Sequence, residues 1–299
     1  MTPAAITVEV PASTGNLGAG FDALGLALGL YDRVEARPAA GHTVEVRGEG
    51  AGRLACDESH LVLRAALRTL DALGATVPGF ALRCHNVIPH SRGLGSSAAA
   101  AVAGVAVGYA LAGIELDGTE RAGRALQLAA TFEGHADNAA PSLLGGLAVV
   151  WRRDDGGYHA VRVEPHAGLC PVLLVPAVES STAQARGLLP ATVPHHDAAF
   201  NVARAALLLH AMTAAPGLLL DATDDRLHQP YRRCAYPATA RLVADLRAGG
   251  TPAAVSGAGP TVLALTSGES LPHGVDLDGF AVHRWPIDRS GVRVTATGG

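Results

Sequence analysis

Gly93 and Gly95 stand in a short run, Ser91-Arg-Gly-Leu-Gly-Ser-Ser97, between a stretch that reads as a strand (Phe80–Asn86) and an Ala-rich run that reads as a helix to Gly113. Glycines let backbone N–H groups approach an oxyanion, and the aligned peptides of a helix start add roughly half a positive charge. Ser96 and Ser97 supply hydroxyls that suit a phosphate oxygen or a Mg²⁺ ion. A glycine loop that only caps a helix has the same look, so the loop alone leaves both readings open. All 23 basic residues are arginine. That excludes a Walker A loop, a Schiff-base enzyme and any kinase built on a catalytic lysine. Phosphate charge must then be met by backbone, arginine and metal.

The other polar residues are ordinary when read one at a time. Glu133 is a helix-end carboxylate, and Asp22 a turn aspartate that can satisfy backbone N–H groups. Any single arginine reads as surface, Arg233 among them. His195-His196 lacks carboxylate or cysteine company and reads as a loop capping the following helix; His90 reads as an exposed loop histidine. Cys56, Cys84, Cys170 and Cys234 form no CxxC or Cys/His cluster, which points to buried free thiols in a reducing cytoplasm.

Several elements must position these residues. Thr7–Val10, Asp32–Ala36 and Thr43–Arg47 read as strands. Ser59 is placed to cap a helix through Leu73, and Thr119 one to about Phe132. Gly145–Trp151 and Tyr158–Val163 suggest a strand pair around an Asp-Asp-Gly-Gly turn. The texture changes around Glu164–Pro171, which sets an expected boundary between units 1–165 and 166–299. Beyond it come a short strand at Val172–Val175, a helix from Asp197 to about Met212, and a helix at Pro237–Ala248 ended by two glycines. A strand at Val262–Thr266 and a closing pair, Ala281–Ile287 with Val292–Thr295, finish the chain before the Thr297-Gly-Gly tail. Strands and helices do not alternate strictly, so the class is α+β.

At 299 residues, two units sharing a cleft are expected. Apolar residues at 48% are ample for a core, which excludes a disordered chain. A net charge of −4 gives no basic field for nucleic acid or anionic lipid. Met1–Val10 has no basic residue and no signal-peptide pattern. Ala98 to Ile114 is uncharged and contains Gly104-x-x-x-Gly108, but it is short for a ~30 Å bilayer core, and small residues also serve a buried soluble helix.

Four stretches, in order, carry a resemblance to the GHMP small-molecule kinases. Pro89-x-x-x-Gly-Leu-Gly-Ser-Ser-Ala98 resembles the family's ATP-binding motif. Pro11-Ala-Ser-Thr-Gly-Asn-Leu-Gly-Ala-Gly-Phe-Asp22 is similar to the first motif of its homoserine-phosphorylating branch, with Thr14-Gly15 replacing the commoner Ser-Ala. Glu133-Gly-His-Ala-Asp-Asn-Ala-Ala-Pro-Ser-Leu-Leu-Gly-Gly146 resembles the central segment of that branch, and Ser256-Gly-Ala-Gly-Pro-Thr261 the glycine loop beneath the phosphates.

The resemblance implies a two-domain α+β fold, with an N-terminal ribosomal-S5-like nucleotide domain and a C-terminal ferredoxin-like α/β sandwich. It implies a cytoplasmic enzyme that moves the γ-phosphate of ATP to the hydroxyl of L-homoserine, on the route to threonine, with Mg²⁺ as cofactor and no nucleic-acid or membrane partner; a homodimer is the assembly it leaves open. ATP contacts are implied for Pro89, His90, Ser91, Arg92, Gly93, Leu94, Gly95, Ser96, Ser97, Ala98, Ala99, Gly257 and Gly259. Ser97 and Glu133 match the metal ligands. Asn16, Asp22, Asp137 and Asn138 match acceptor-holding positions, Arg186 and Arg232 match arginines that bind a carboxylate, and Thr182 matches a contact to acceptor or γ-phosphate. Asn138 stands where sister kinases carry an aspartate, and an amide takes no proton at neutral pH, so it orients the hydroxyl. His60 stands where relatives often carry asparagine, so no adenine contact is expected of it. Two alternatives are a sister kinase with another alcohol acceptor and a non-catalytic protein of the same fold.

Overall fold

The computed structural model describes residues 5–268 and 270–297; the N-terminal end of Met1–Val10 and the two glycines of the tail lie outside that range. Strands β1 (Ala5–Gly15) and β2 (Leu24–Pro38) form a long antiparallel pair. Buried residues alternate along the start of β1, then run unbroken from Val10 to Gly15 as covering elements close over both faces. β2 extends well beyond Asp32–Ala36. Gly25 and Gly29 each sit where another segment presses in: a Cβ at 25 would lie 1.8 Å from the Asp137 carbonyl oxygen, and one at 29 would lie 2.9 Å from the Pro286 ring.

β3 (Thr43–Gly48) runs parallel to β4 (Phe80–Asn86), and β4 pairs with the far half of β2. β5 (Leu147–Arg152) pairs with the first residues of β2, and β6 (Tyr158–Val163) closes a hairpin with β5. A second, antiparallel sheet holds β7 (Cys170–Pro176), β8 (Ala253–Val255), β9 (Val262–Thr266) and β10 (Phe280–His283) in the order β10-β7-β9-β8. β11 (Arg293–Thr297) returns to the first sheet beside β1. The expected closing pair therefore does not form. The segment between the two strands is tied onto β2 instead, Gly29 N–H donating to Pro286 O at 2.7 Å and Asp288 N–H to Ala27 O at 3.2 Å, so each strand joins a different sheet.

Helices α1 (Leu61–Leu73), α2 (Ser96–Leu111), α3 (Gly118–Ala130) and α4 (Ala139–Leu144) share the first sheet's core. Between Ala98 and Tyr109 only Ala100 of α2 escapes full burial, as befits a helix apolar on every side. Gly104 and Gly108 let α1 approach closely: Cβ atoms there would meet the Val62 carbonyl oxygen at 2.3 Å and Thr69 Cβ at 2.6 Å. No helix among the described residues is long and apolar enough to cross a membrane.

Two caps differ from expectation. His60, not Ser59, precedes α1, because Ser59 bonds back to Asp57, and Asp117, not Thr119, precedes α3. Downstream come α5 (Thr182–Gly187), α6 (His195–Thr213), α7 (Leu219–Ala222), α8 (Gln229–Arg232) and α9 (Pro237–Ala248). β7 is buried on both faces, Val172 and Leu174 packing with Leu242 and Leu246 of α9, and Leu173 and Val175 joining the main core with Leu208 and Met212 of α6. All four cysteines are free, but only Cys84 is buried; burial in the first sheet pushes its thiol up to about 12, and Cys56, Cys170 and Cys234 are exposed because each lies at an element edge or loop.

Candidate active site

The β4–α2 connection turns on three left-handed residues, Ser91 (φ 56°), Gly93 (φ 74°) and Gly95 (φ 68°). Glycine is required at both positions for a second reason. A Cβ at 93 would lie 2.2 Å from the Ser256 carbonyl oxygen, and one at 95 would lie 2.1 Å from Ser13 Oγ. Gly95 precedes α2 and no side chain among the described residues caps the helix, so its first N–H groups are left for a ligand. Neighbouring segments hold the loop in place: Ser13 N–H donates to Leu94 O at 3.1 Å, Gly257 N–H to Gly15 O at 3.1 Å, and Ser256 Oγ lies 2.6 Å from Gly93 O. Three stretches far apart in the chain are thus bonded into one floor.

Above this floor opens a cleft of about 810 Å³. One end is apolar, lined by Val34, Leu54, Val62 and Phe132. His60 lies there too; it is 6% exposed and its Nδ1 has no partner among the described residues. Asp32 borders the cleft, its Oδ1 accepting from the N–H groups of Val87 and Ile88 at 2.7 and 2.9 Å, while desolvation raises its carboxyl to about 6 against those bonds.

Ser97 Oγ donates to Glu133, joining the first turn of α2 to the segment after α3. Desolvation pushes the Glu133 carboxyl up; His135 and Ser97 oppose this and Asp137 adds to it. A carboxylate held so, beside a hydroxyl, gains from a cation. No cluster of three or more His, Cys, Asp or Glu able to hold a metal occurs among the described residues, so an ion here would need oxygens from a phosphate ligand. His135 Nδ1 lies 2.6 Å from Asp137 Oδ1; desolvation works to lower the His135 pKa, but the Asp137 bond and charge outweigh it and the net direction is up.

At the other end charged side chains pair before any ligand arrives. Arg186 of α5 donates two bonds to the Asp22 carboxylate, at 2.6 and 3.0 Å, and this bond and charge raise the Arg186 pKa against desolvation. Arg232 of α8 is 1% exposed. Its Nη1 donates to His228 Nδ1 at 2.9 Å and its Nε to Ala185 O at 3.3 Å, while Nη2 has no protein acceptor among the described residues. Phe21 lies under both guanidiniums, 5.7 Å from Arg186 and 5.6 Å from Arg232. Asn138 Oδ1 accepts from Ser13 Oγ at 3.1 Å, linking this charged end to the floor.

Most expected residues converge here. Asn16, Pro89 to Ser97, Glu133, Asp137, Asn138, Thr182, Arg186, Arg232 and Gly257 line the cleft; Ala98, Ala99 and Gly259 do not, and Asp22 reaches it only through its bonds to Arg186. Two lie there in unexpected employment. Arg92 donates to three carbonyls, of Pro176, His90 and Ala177, tying the loop to the segment after β7. Asn16, with φ 68°, accepts from Asp22 N–H at 3.0 Å and donates to Gly257 O at 2.7 Å. His90 is half-buried against the cleft rather than exposed, because the 50–54 turn packs on it. His135, Asp32 and the apolar end went unassigned in the sequence, where valine, leucine and phenylalanine carry no signal apart from that of a core.

Known proteins resemble this chain throughout. The pattern of the GHMP kinases N terminal domain matches residues 60–146, and that of the GHMP kinases C terminal region matches residues 202–273. A homoserine kinase of Mycolicibacterium vanbaalenii is 49% identical over 94% of this chain and 92% of its own length. One from Streptomyces avermitilis is 48% identical over 97% and 96%. The crystal structure of homoserine kinase from Cytophaga hutchinsonii superposes with a TM-score of 0.84 at 26% identity, covering 98% of each chain.

Proposed function

The chain belongs to the homoserine kinases of the GHMP kinase family, with that family's α+β fold, and from this membership we propose how its cleft carries out the reaction. The enzyme transfers the γ-phosphate of ATP to the side-chain hydroxyl of L-homoserine, giving O-phospho-L-homoserine. One observation supports the placement above all: a single cleft has an uncapped helix start at one end and paired acidic and arginine side chains at the other.

ATP lies with its base against Val34, Leu54, Val62 and Phe132 and its phosphates over Gly93–Ser97, where backbone N–H groups and the α2 dipole take up negative charge. Ser97 and Glu133 fit Mg²⁺, given their contact and the raised carboxyl. When bound there, the ion would neutralise charge on the phosphates. Homoserine takes the other end, with its ammonium at Asp22, its carboxylate at Arg186 and Arg232, and its hydroxyl near Asp137 and Asn138. Phosphoryl transfer through a loose transition state asks mainly for positioning, which an asparagine at 138 supplies.

The Asp22–Arg186 pair gives this reading a selectivity argument. A zwitterion exchanges one internal ion pair for two with the ligand, so every charge stays partnered. An acceptor lacking the ammonium takes Arg186 and leaves Asp22 bare, a cost of ~1–3 kcal/mol or more. A coupled assay with ATP tests this: homoserine is expected to turn over well and 4-hydroxybutyrate poorly, and equal rates on the two would overturn the acceptor assignment. The same proposal divides the chain near residue 165, the first sheet drawing on residues 5–163 and the second on 170–283, with β11 reaching back. It also places the enzyme in the cytoplasm, where free thiols persist.

A further inference from the structure

His228 has no solvent exposure, yet it is not a packing residue alone. Its ring stacks on Phe21 with centroids 5.2 Å apart. Nδ1 lies 2.9 Å from Nη1 of Arg232, and Nε2 lies 2.9 Å from the carbonyl oxygen of Gly18. A guanidinium only donates, so Nδ1 must be the bare acceptor and the ring proton sits on Nε2, donating to Gly18. Asp225 stands 3.5 Å from Nε2 and accepts from the backbone N–H groups of Leu227, His228 and Gln229, which fixes where α8 starts. Gly18 belongs to the left-handed turn that contains Asn16, Leu17 and Asp22.

We propose that His228 is a positioning residue for acceptor binding: Nδ1 aims the Arg232 guanidinium, and Nε2–H ties that arginine to the turn carrying Asp22. The two anchors for a zwitterion, one cationic and one anionic, are thereby held at a fixed spacing through one imidazole. This rests on the assignment of Arg232 and Asp22 to the carboxylate and ammonium of homoserine. The ring is neutral here, since desolvation and the Arg232 charge lower its pKa against the pull of Asp225.

Two substitutions separate the two bonds. His228→Asn keeps an amide oxygen near the Nδ1 position, able to accept from Arg232, but is too short to reach Gly18. His228→Gln carries an amide N–H out to Gly18 and leaves Nη1 without its acceptor. With wild type first shown to phosphorylate homoserine, His228→Gln should raise the KM for homoserine about tenfold or more, and His228→Asn, which loses only the tie to Gly18, should raise it by a smaller factor of about three to five, each with the KM for ATP within about twofold. Equal damage by both variants to the KM of both substrates would make the residue merely structural and overturn the proposal. So would an unchanged homoserine KM in folded His228→Gln. A readout on the unmutated enzyme backs these up: nitrogen NMR of labelled histidine should find the His228 proton on Nε2, and a proton on Nδ1 overturns the proposal whatever the variants do. Failure of wild type to use homoserine would instead remove the functional reading, and this inference with it.

Discussion

The two ends of the cleft recognise charge in opposite ways. The end proposed for phosphate is backbone: a contiguous loop with left-handed turns at 91, 93 and 95, leading into a helix with no side-chain cap among the described residues. The end proposed for the acceptor is side chain: Asp22, His135, Asp137, Arg186, His228 and Arg232 come from four separated segments, and each is paired within the protein. A backbone site has no charge of its own to neutralise, so it stands ready without partners but tolerates no added volume. A site of buried side chains must keep every charge satisfied in the free enzyme, so the internal pairs stand in for the ligand. The first end is therefore sensitive to size and the second to charge.

The largest expected effect falls where the two ends meet. Glu133→Gln keeps the size and the bond to Ser97 but removes the charge, so kcat should fall by about 10² or more at saturating Mg²⁺. Activity within about threefold of wild type would show that the charge at 133 serves neither end. Next comes Arg232→Leu, which should lower kcat/KM for homoserine by ~3 kcal/mol, about 150-fold, while ATP affinity measured without acceptor stays near wild type. An equal loss of ATP affinity would erase the division between the ends. Gly95→Val probes volume: with φ 68° and Ser13 Oγ 2.1 Å from an added Cβ, it should raise the KM for ATP about tenfold, and unchanged nucleotide affinity in the folded variant would break the backbone account.

The smallest effect concerns stability. Asp32 holds the exit of β4 by two backbone bonds and is a charged side chain within the backbone-built half. Its folded pKa of about 6 lies above the ordinary ~3.9, so as pH falls the folded state takes up the proton before the unfolded chain does. Stability therefore drops as pH rises from about 4 to about 6, and the full penalty stands above that. Asp32→Asn retains an oxygen for both N–H groups and removes the charge, so it should gain ~1–3 kcal/mol at pH 8 and lose that gain near pH 4. A difference in Tm that is the same at both pH values would refute this.

Glycine spacing and the helix start at Ser96 were enough to single out the 91–97 loop as a candidate phosphate site, because a left-handed turn and a helix N-terminus depend on residues a few positions apart. Ordered motifs likewise marked the residues proposed for the acceptor, and the uncharged run of α2, the glycine-ended α9 and the short apolar run of β9 were legible from composition and punctuation. What the acceptor residues do in the free enzyme was not legible. Nothing near Asp22 announces that Arg186 will reach it, and nothing near Arg232 that His228 will take its Nη1. The strand partners of β10 and β11 were equally hidden, since alternation says which face a strand buries and is silent on which neighbour it finds. Covalent neighbours determine backbone conformation, so the phosphate end is written locally. A charge pair across 164 positions forms only once the fold has brought the two side chains together, and that condition exists only in the folded chain.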